Sequence, residues 1–398
     1  MGNGDGALAN LRVLDLTRIL AGPFCSQILS DHGADIIKVE ALEGDETRRW
    51  GPPFDEEGMS AYFRGVNRNK RSLAINLAGS AGQAVLLRLL GKADVVIENF
   101  KAGQMEKWDL GYESTLRALF PRLVYAQITG YGSNGPMAGL PGFDAIAQVM
   151  SGLASINGVP NEPPVRVGTP ISDLSAGLYI TSAIMMALYE RGATGLGQKV
   201  EVSLLDCSVS LLHPHAANYF VTGEAPVRMG NAHPNISPYQ MFRTSNCWIF
   251  IAGGNNKQFE QLVSFLGMSE LKRDERFADN ASRKTHETAL NMILAPLFKE
   301  QDGFLLAQEL LREGVPAGAV LEVPQVLEQE QLRAREMVVE NAGYKGLGTP
   351  IKMSRTPGKF HAAPPQLGQH SRAVLDEANF TDDEINELIQ SGTILSSL

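Results

Sequence analysis

The sequence predicts an α/β fold built on a parallel sheet. Two observations predict it. Short runs rich in β-branched residues recur through the first half, separated by stretches of helical periodicity, which is the pattern of βαβ units. The chain also has 398 residues, 44% hydrophobic and 20% charged, ample apolar material for a large core. A prior of one domain per ~150 residues suggests two or three domains.

The elements follow in order. Residues 11–16 (LRVLDL) read as the first strand, and Gly22-Pro23 opens a helix through about Ser30. Asp35–Glu40 (DIIKVE) is the second strand. Residues 80–91 place apolar side chains at helical spacing, with Ser80 positioned as their N-cap. Residues 94–98 (DVVIE) and 123–128 (LVYAQI) are further strands, and 199–205 (KVEVSLL) is another after a long uncharged helix. A second segment begins near Gly223, with a strand at Trp248–Ala252 and helices near 256–266, 287–299 and 303–313. Connections rich in Gly, Pro and Arg surround residues 343–365. An amphipathic tail at 381–390 has Thr381 as cap and acids in its first turn.

Composition limits the function. A net charge of −9 disfavours a general role on nucleic acid or anionic membranes. The three cysteines, Cys25, Cys207 and Cys247, are far apart and show no zinc spacing, so reduced, inert thiols and no metal centre are expected. The opening Met-Gly-Asn-Gly-Asp-Gly has no secretory or myristoylation pattern. The cytosol is the expected setting, or a mitochondrial matrix after loss of a transit segment. The first strand-to-helix joint is not a G-x-G-x-x-G loop, Gly2-x-Gly4 precedes any strand, and no Walker A loop exists. Conventional dinucleotide or ATP chemistry is therefore unsupported.

One carboxylate stands apart. In Val167-Gly-Thr-Pro-Ile-Ser-Asp-Leu-Ser-Ala-Gly-Leu178, Asp173 sits at the mouth of a helix with no charged residue from Leu174 to Tyr189. That run reads as a buried core helix, too short to span a bilayer comfortably. Two roles are open for Asp173 on these residues alone. Ser and Asp before an apolar run are usual N-caps, whereas a carboxylate held at the positive end of a helix can also act as a nucleophile.

Three loops combine basic residues with Asn or an aromatic: Asn67-Arg-Asn-Lys-Arg-Ser72, Glu98-Asn-Phe-Lys-Ala-Gly103, and Arg48-Arg49 before Trp50-Gly-Pro-Pro53. Each is either a solvated loop or part of a site for phosphates and an adenine ring. His213-Pro-His215 lacks a third ligand at metal spacing, so packing or a substrate pocket is the preferred reading.

A family resemblance rests on collinear motifs. They are Val13-Leu-Asp-Leu-Thr-Arg-Ile-Leu-Ala-Gly-Pro23, Gly33-Ala-Asp-Ile-Ile-Lys-Val-Glu40, Asn67-Arg-Asn-Lys-Arg-Ser72, Glu98-Asn-Phe100, Ile128-Thr-Gly-Tyr-Gly132, Asp173-Leu-Ser-Ala-Gly177 and Pro364-Pro-Gln-Leu-Gly-Gln-His370. From about Leu11 to the C-terminus the chain resembles the class III CoA-transferases, also called the CaiB/BaiF or formyl-CoA transferase type. Thr47-Arg-Arg-Trp-Gly-Pro-Pro-Phe54, His215-Ala-Ala-Asn-Tyr219 and Gly253-Gly-Asn-Asn-Lys-Gln-Phe259 are most similar to the succinate–hydroxymethylglutarate CoA-transferase branch.

The resemblance implies a Rossmann-like large domain over residues 1–200, completed by about 335–398, a linker at 201–224 and a smaller α/β domain at 225–325. It also implies an interlocked homodimer. The family's catalytic carboxylate falls on Asp173. Its CoA contacts fall on Leu20, Ala21, Ile75, Asn76, Asn99, Phe100, Lys101, Lys107 and Trp108. Lys107 stands where the family usually has Arg, and Ala41-Leu42 where it often has a basic residue or Pro. Coenzyme A is implied as co-substrate, with no tightly bound cofactor.

The implied reaction moves CoA from an acyl-CoA to a free acid through an aspartyl-CoA thioester. Succinyl-CoA with glutarate, hydroxymethylglutarate, itaconate or malate all fit. Arg18, Arg166, His213, His215 and His233 are candidates for holding a second carboxylate. Two alternatives are a catalytically silent CoA-binding protein and a 2-methylacyl-CoA racemase. The racemase subgroup carries His where this chain has Phe143, which cannot exchange a proton.

Overall fold

The computed structural model describes residues 6–341 and 343–396. Gly2 and Gly4 lie outside the described residues. The chain divides into two compact units. One comprises the chain up to Ser151, Val167–Leu211 and the chain from Glu330 onward. The other comprises Gly152–Arg166 and Leu212–Gln329.

The first unit is built on a seven-stranded sheet of β1 (Arg12–Asp15), β2 (Asp35–Glu40), β3 (Lys70–Ile75), β4 (Val95–Glu98), β5 (Val124–Thr129) and β6 (Lys199–Ser203), with a short late strand at Ile394–Leu395. The order is late strand-β3-β2-β1-β4-β5-β6, all parallel except the late strand, which runs antiparallel to β3. The α/β class and parallel sheet expected from the sequence are what the chain adopts. Register pairs Val13 with Ile36 and with Val95.

Side chains alternate across this sheet. Leu14, Ile37, Leu73, Val96 and Tyr125 join one core with Leu86 and Leu89 of the Ser80–Leu90 helix. Val13, Ile36, Val95, Val124 and Ala126 join another with Ala21, Cys25 and Leu29 of the Ala21–Asp31 helix. Burial on both faces explains strands that read as continuous apolar runs. Each fully buried aliphatic side chain here contributes about 1.5–3 kcal/mol.

The second unit carries an antiparallel sheet of β7 (Tyr239–Arg243), β8 (Trp248–Ala252) and β9 (Ala317–Ala319). The Asn256–Phe265, Glu287–Phe298 and Gly303–Arg312 helices supply its core with Phe259, Leu294 and Leu310. Those three helices match expectation to within a residue. Residues 201–224 hold the end of β6 and the Leu204–Ser210 and His215–Thr222 helices. The remaining strands are β10 (Val338–Asn341) and β11 (Tyr344–Leu347), with Ile394–Leu395 as β12.

Four expectations need correction. Ser80 is the first helical residue and Gly79 the cap, with no side-chain capping bond. The long helix spans Ile171–Thr194, 24 residues, because Glu190 and Arg191 continue it past the uncharged run. By length and composition alone it could cross a bilayer. It is also buried on one stripe only: Ala176, Ile180, Ile184 and Ala187 face the core, while Leu178, Tyr179, Met185, Met186 and Tyr189 are exposed. Lastly, residues 67–72 are not a basic loop but the entry to β3. Arg68 pairs with Asp31 at 2.5 Å, Lys70 with Asp15 at 3.3 Å, and Arg71 with Asp35 and Glu377 at 2.8 Å. Their charges are spent inside the fold, and burial together with Lys38 pushes the Lys70 ammonium down to about 8 against the pull of Asp15.

Candidate active site

Ligands of open α/β sheets sit beyond the carboxyl ends of the strands, where strand order reverses. Here β1 lies between β2 and β4, so the loops after β1 and β4 flank that point. Side chains hold the first loop by its backbone at successive residues. The Asp15 carboxylate accepts the Thr17 N–H at 2.9 Å, and Lys38 donates to the Thr17 carbonyl at 2.9 Å. Asn99 accepts the Arg18 N–H at 3.0 Å and donates to the Arg18 carbonyl at 2.9 Å. Asp45 accepts the Ile19 N–H at 3.2 Å. Ile19 has φ 71, a left-handed conformation rare for a β-branched residue and held only where its surroundings over-determine it.

Two cavities open beside this loop. A smaller one of about 170 Å³ is lined by Leu20, Ala21, Asn99, Thr129, Gly130, Gly142 and Asp173, among others. A larger one of about 590 Å³ is lined by Ala41, Leu42, Ile75, Asn76, Leu77 and Trp108, among others. Arg18, Phe100 and Lys101 line both. Phe100 and Trp108 pack edge to face, centroids 5.1 Å apart. Eight of the nine positions named above for CoA therefore gather here, and Lys107, at the end of the Gln104–Lys107 helix, lines neither cavity.

Asp173 is not a cap. It is the third residue of the Ile171–Thr194 helix, whose N-cap is Pro170 with no side-chain bond. Capping falls to Asp144, which opens the Asp144–Met150 helix. Its Oδ1 accepts the N–H of Ser172 at 2.8 Å and of Asp173 at 3.4 Å. Its Oδ2 accepts from Gln148 at 2.8 Å, and Gln148 in turn accepts the Val167 N–H at 2.7 Å. The Asp173 carboxyl is thus left for the cavity. Burial first, and the neighbouring Asp144 second, push it up to about 7. The helix mouth favours an anion, but desolvation and a like charge outweigh that here.

Close packing fixes this arrangement. A Cβ on Gly177, one turn after Asp173, would lie 2.8 Å from the Ala21 carbonyl and 2.9 Å from the Phe24 ring. A Cβ on Gly130 would lie 2.6 Å from the Gly142 Cα, at the cavity wall. Glu98 secures the second loop. Its buried carboxylate accepts the Phe100 N–H at 2.7 Å, the Tyr125 hydroxyl at 2.9 Å and Gln127 at 2.6 Å. Burial pushes that carboxyl up to about 7.

Other sequence candidates are placed elsewhere. Arg48 makes a two-pronged bond to Glu40 at 2.8 Å and stacks on Phe63. Trp50 packs against Tyr62, centroids 5.1 Å apart. Neither lines a cavity described here. His213, His215, His233 and Arg166 belong to the second unit. Cys25 is buried, which pushes its thiol up to about 12. Among the described residues no group of three or more His, Cys, Asp or Glu could hold a metal ion. Sequence reasoning missed the roles of Asp144 and Gln148, which depend on partners about twenty or more residues away.

Comparison with known proteins decides the family. The model of CoA-transferase family III matches residues 8–371. The chain belongs to this family. A succinate–glutarate CoA-transferase of Agrobacterium fabrum is 40% identical, over 95% of this chain and 97% of that protein. A human succinyl-CoA:glutarate CoA-transferase is 36% identical, over 98% and 91%. The crystal structure of a CaiB/BaiF family protein from Brucella suis superposes with a TM-score of 0.85 at 44% identity, covering 94% of this chain and all of that one. As a CoA-transferase of family III the chain acts on thioesters of CoA, and the resemblance of its motifs to that family is borne out.

Proposed function

We propose that the chain transfers CoA between a dicarboxylyl-CoA, with succinyl-CoA the leading candidate, and a free carboxylic acid, with Asp173 as nucleophile. The observation that carries this reading is the placing of a half-buried, uncapped carboxylate in a cavity that shares Arg18, Phe100 and Lys101 with a larger groove. The groove suits the nucleotide part of CoA, and the smaller cavity suits the thioester. Leu20, Ala21, Ile75, Asn76, Asn99, Phe100, Lys101 and Trp108 are the proposed CoA contacts, with Lys107 at their margin.

The chemistry balances without another reactant. A carboxylate oxygen of Asp173 attacks the thioester carbonyl carbon, the C–S bond breaks, and CoA leaves as thiolate. The resulting mixed anhydride is attacked by that thiolate at the Asp173 carboxyl carbon, releasing the donor acid as its carboxylate. The acceptor carboxylate then attacks the aspartyl-CoA thioester, and the thiolate returns to the acceptor carbonyl, freeing Asp173. Exchanging one thioester for another is nearly thermoneutral, so no ATP is consumed.

A homodimer completes the reading. The exposed face of the nucleophile's helix, Leu178, Tyr179, Met185, Met186 and Tyr189, is an apolar surface suited to a second copy. We place the enzyme in the cytoplasm, with the mitochondrial matrix as the alternative.

Asp173→Ala tests the core of this. It is expected to lose at least about 10³-fold in kcat while free CoA inhibits or binds as in the parent. Trapping with hydroxylamine after incubation with succinyl-CoA should modify Asp173 in the parent alone. Transfer activity surviving in Asp173→Ala would exclude Asp173 as nucleophile. Sedimentation of the parent as a monomer at micromolar concentration would remove the dimer.

A further inference from the structure

We propose that Arg18 is the residue that selects dicarboxylates, holding the substrate carboxylate that does not react. This rests on the transferase reading above and deepens it. Of the five cations that sequence alone left open for this role, Arg18 is the one that lines the cavity of Asp173. Among the described residues, that cavity's cations are Arg18 and Lys101.

The state of the Arg18 side chain suits binding rather than architecture. The buried and half-buried cations of the same unit have close acid partners: Lys38 with Asp45 at 3.0 Å, Arg48 with Glu40 at 2.8 Å, Arg71 with Asp35 at 2.8 Å. Arg18 is about half exposed, at 52%, and its carboxylate neighbour Glu46 stands 4.0 Å away. At that distance and exposure an ion pair contributes little to stability. The guanidinium can therefore exchange Glu46 for a substrate carboxylate at small cost. Its planar fork matches a carboxylate through two parallel bonds.

The backbone beneath it is held with unusual thoroughness for a cation that contributes so little to the fold. Asn99 grips both the N–H and the carbonyl of Arg18, Lys38 fixes Thr17 before it, and Asp45 fixes Ile19 after it in a left-handed conformation. Such fixation makes sense when the position of the side chain matters to a ligand, because an ordered backbone lowers the entropy lost on binding. Glu46 lines the same cavity and repels any acid that does not engage Arg18. A monocarboxylate has no second group to do so.

The alternative occupant of the guanidinium is a phosphate of CoA, since Arg18 also lines the larger cavity. The test separates the two. Arg18→Gln and Arg18→Lys are assayed with succinyl-CoA and glutarate, with monomethyl glutarate as an acceptor of equal length lacking the second charge, and with free CoA as product inhibitor. The expected result for Arg18→Gln is an increase of about ten- to a hundredfold in KM for glutarate, the weight of a charge-assisted hydrogen bond. The inhibition constant of CoA should stay within about twofold, and selectivity for glutarate over its monoester should collapse. Arg18→Lys should recover part of the loss, since it keeps charge without the fork. An unchanged KM for glutarate overturns the proposal, as does a parallel loss of CoA affinity. A parent protein that transfers CoA between no pair of acids would instead sink the transferase reading itself.

Discussion

The carboxylate of Asp144 accepts the backbone N–H of Asp173 at 3.4 Å, so one acid caps the turn that presents another. The same proximity adds to burial in holding the Asp173 carboxyl near 7. Positioning and electrostatics are therefore coupled in one residue pair.

A pH dependence follows. As the proposed nucleophile, Asp173 must be ionised, so kcat/KM should rise with pH through about 7, the value to which burial and Asp144 push it. Asp144→Asn keeps an oxygen to cap Ser172 but removes the like charge. Its acid limb should move to lower pH, though not to the ordinary carboxylate range, because burial is the larger cause and remains. A pH–rate series on both proteins decides this; an unmoved limb would mean that Asp144 exerts no charge on Asp173.

Stability should respond in the opposite sense to activity. An Asp whose folded pKa is raised favours folding while protonated, and that contribution is lost as pH rises from about 4 through about 7. Asp173→Asn removes the buried charge, so it should unfold at higher denaturant than the parent at pH 8, by on the order of 2 kcal/mol. The difference should vanish near pH 4. Urea titrations at the two pH values check it, and a destabilised variant at pH 8 would refute it.

Glu98→Ala should separate binding from chemistry. It removes the acceptor of the Phe100 N–H and orphans the Tyr125 hydroxyl and the Gln127 amide. The expected cost is about 2–4 kcal/mol of stability. The loosened Phe100–Lys101 turn should raise KM for the acyl-CoA more than it lowers kcat. Steady-state kinetics beside thermal unfolding give both readings.

Gly177→Ala should damage catalysis without touching any reacting group. The added methyl meets the Ala21 carbonyl at 2.8 Å, which is backbone and cannot yield locally. Forcing the Ala21–Asp31 and Ile171–Thr194 helices apart should cost about 1–3 kcal/mol. It should also displace Asp173 from the cavity wall formed by Leu20 and Ala21, lowering kcat by about tenfold or more. Parent-like kcat would show that this contact does not set the geometry of the site.

The features legible without the fold were local in origin. β-Branched runs and helical periodicity fixed the sheet class, Trp248–Ala252 as a strand, and the three helices that cover it, because those patterns are properties of neighbouring residues. Collinear motifs carried the family and pointed to Asp173. The tertiary structure decided how charges are shared. Lys70 and Arg71 read as a basic loop until Asp15, Asp35 and Glu377 arrived from distant segments to neutralise them inside a strand. The residues around Asp173 left a cap and a nucleophile both open; Asp144, 29 residues earlier, takes the capping task and leaves the Asp173 carboxyl to the cavity. Arg18 was one cation among five until Asn99, Lys38 and Asp45 held its backbone at the wall of the cavity that Asp173 also lines. Burial turns an ionisable side chain into either an architectural pair or a reactive group, according to which partners the fold brings within a few ångströms, and that choice is made between residues far apart in sequence.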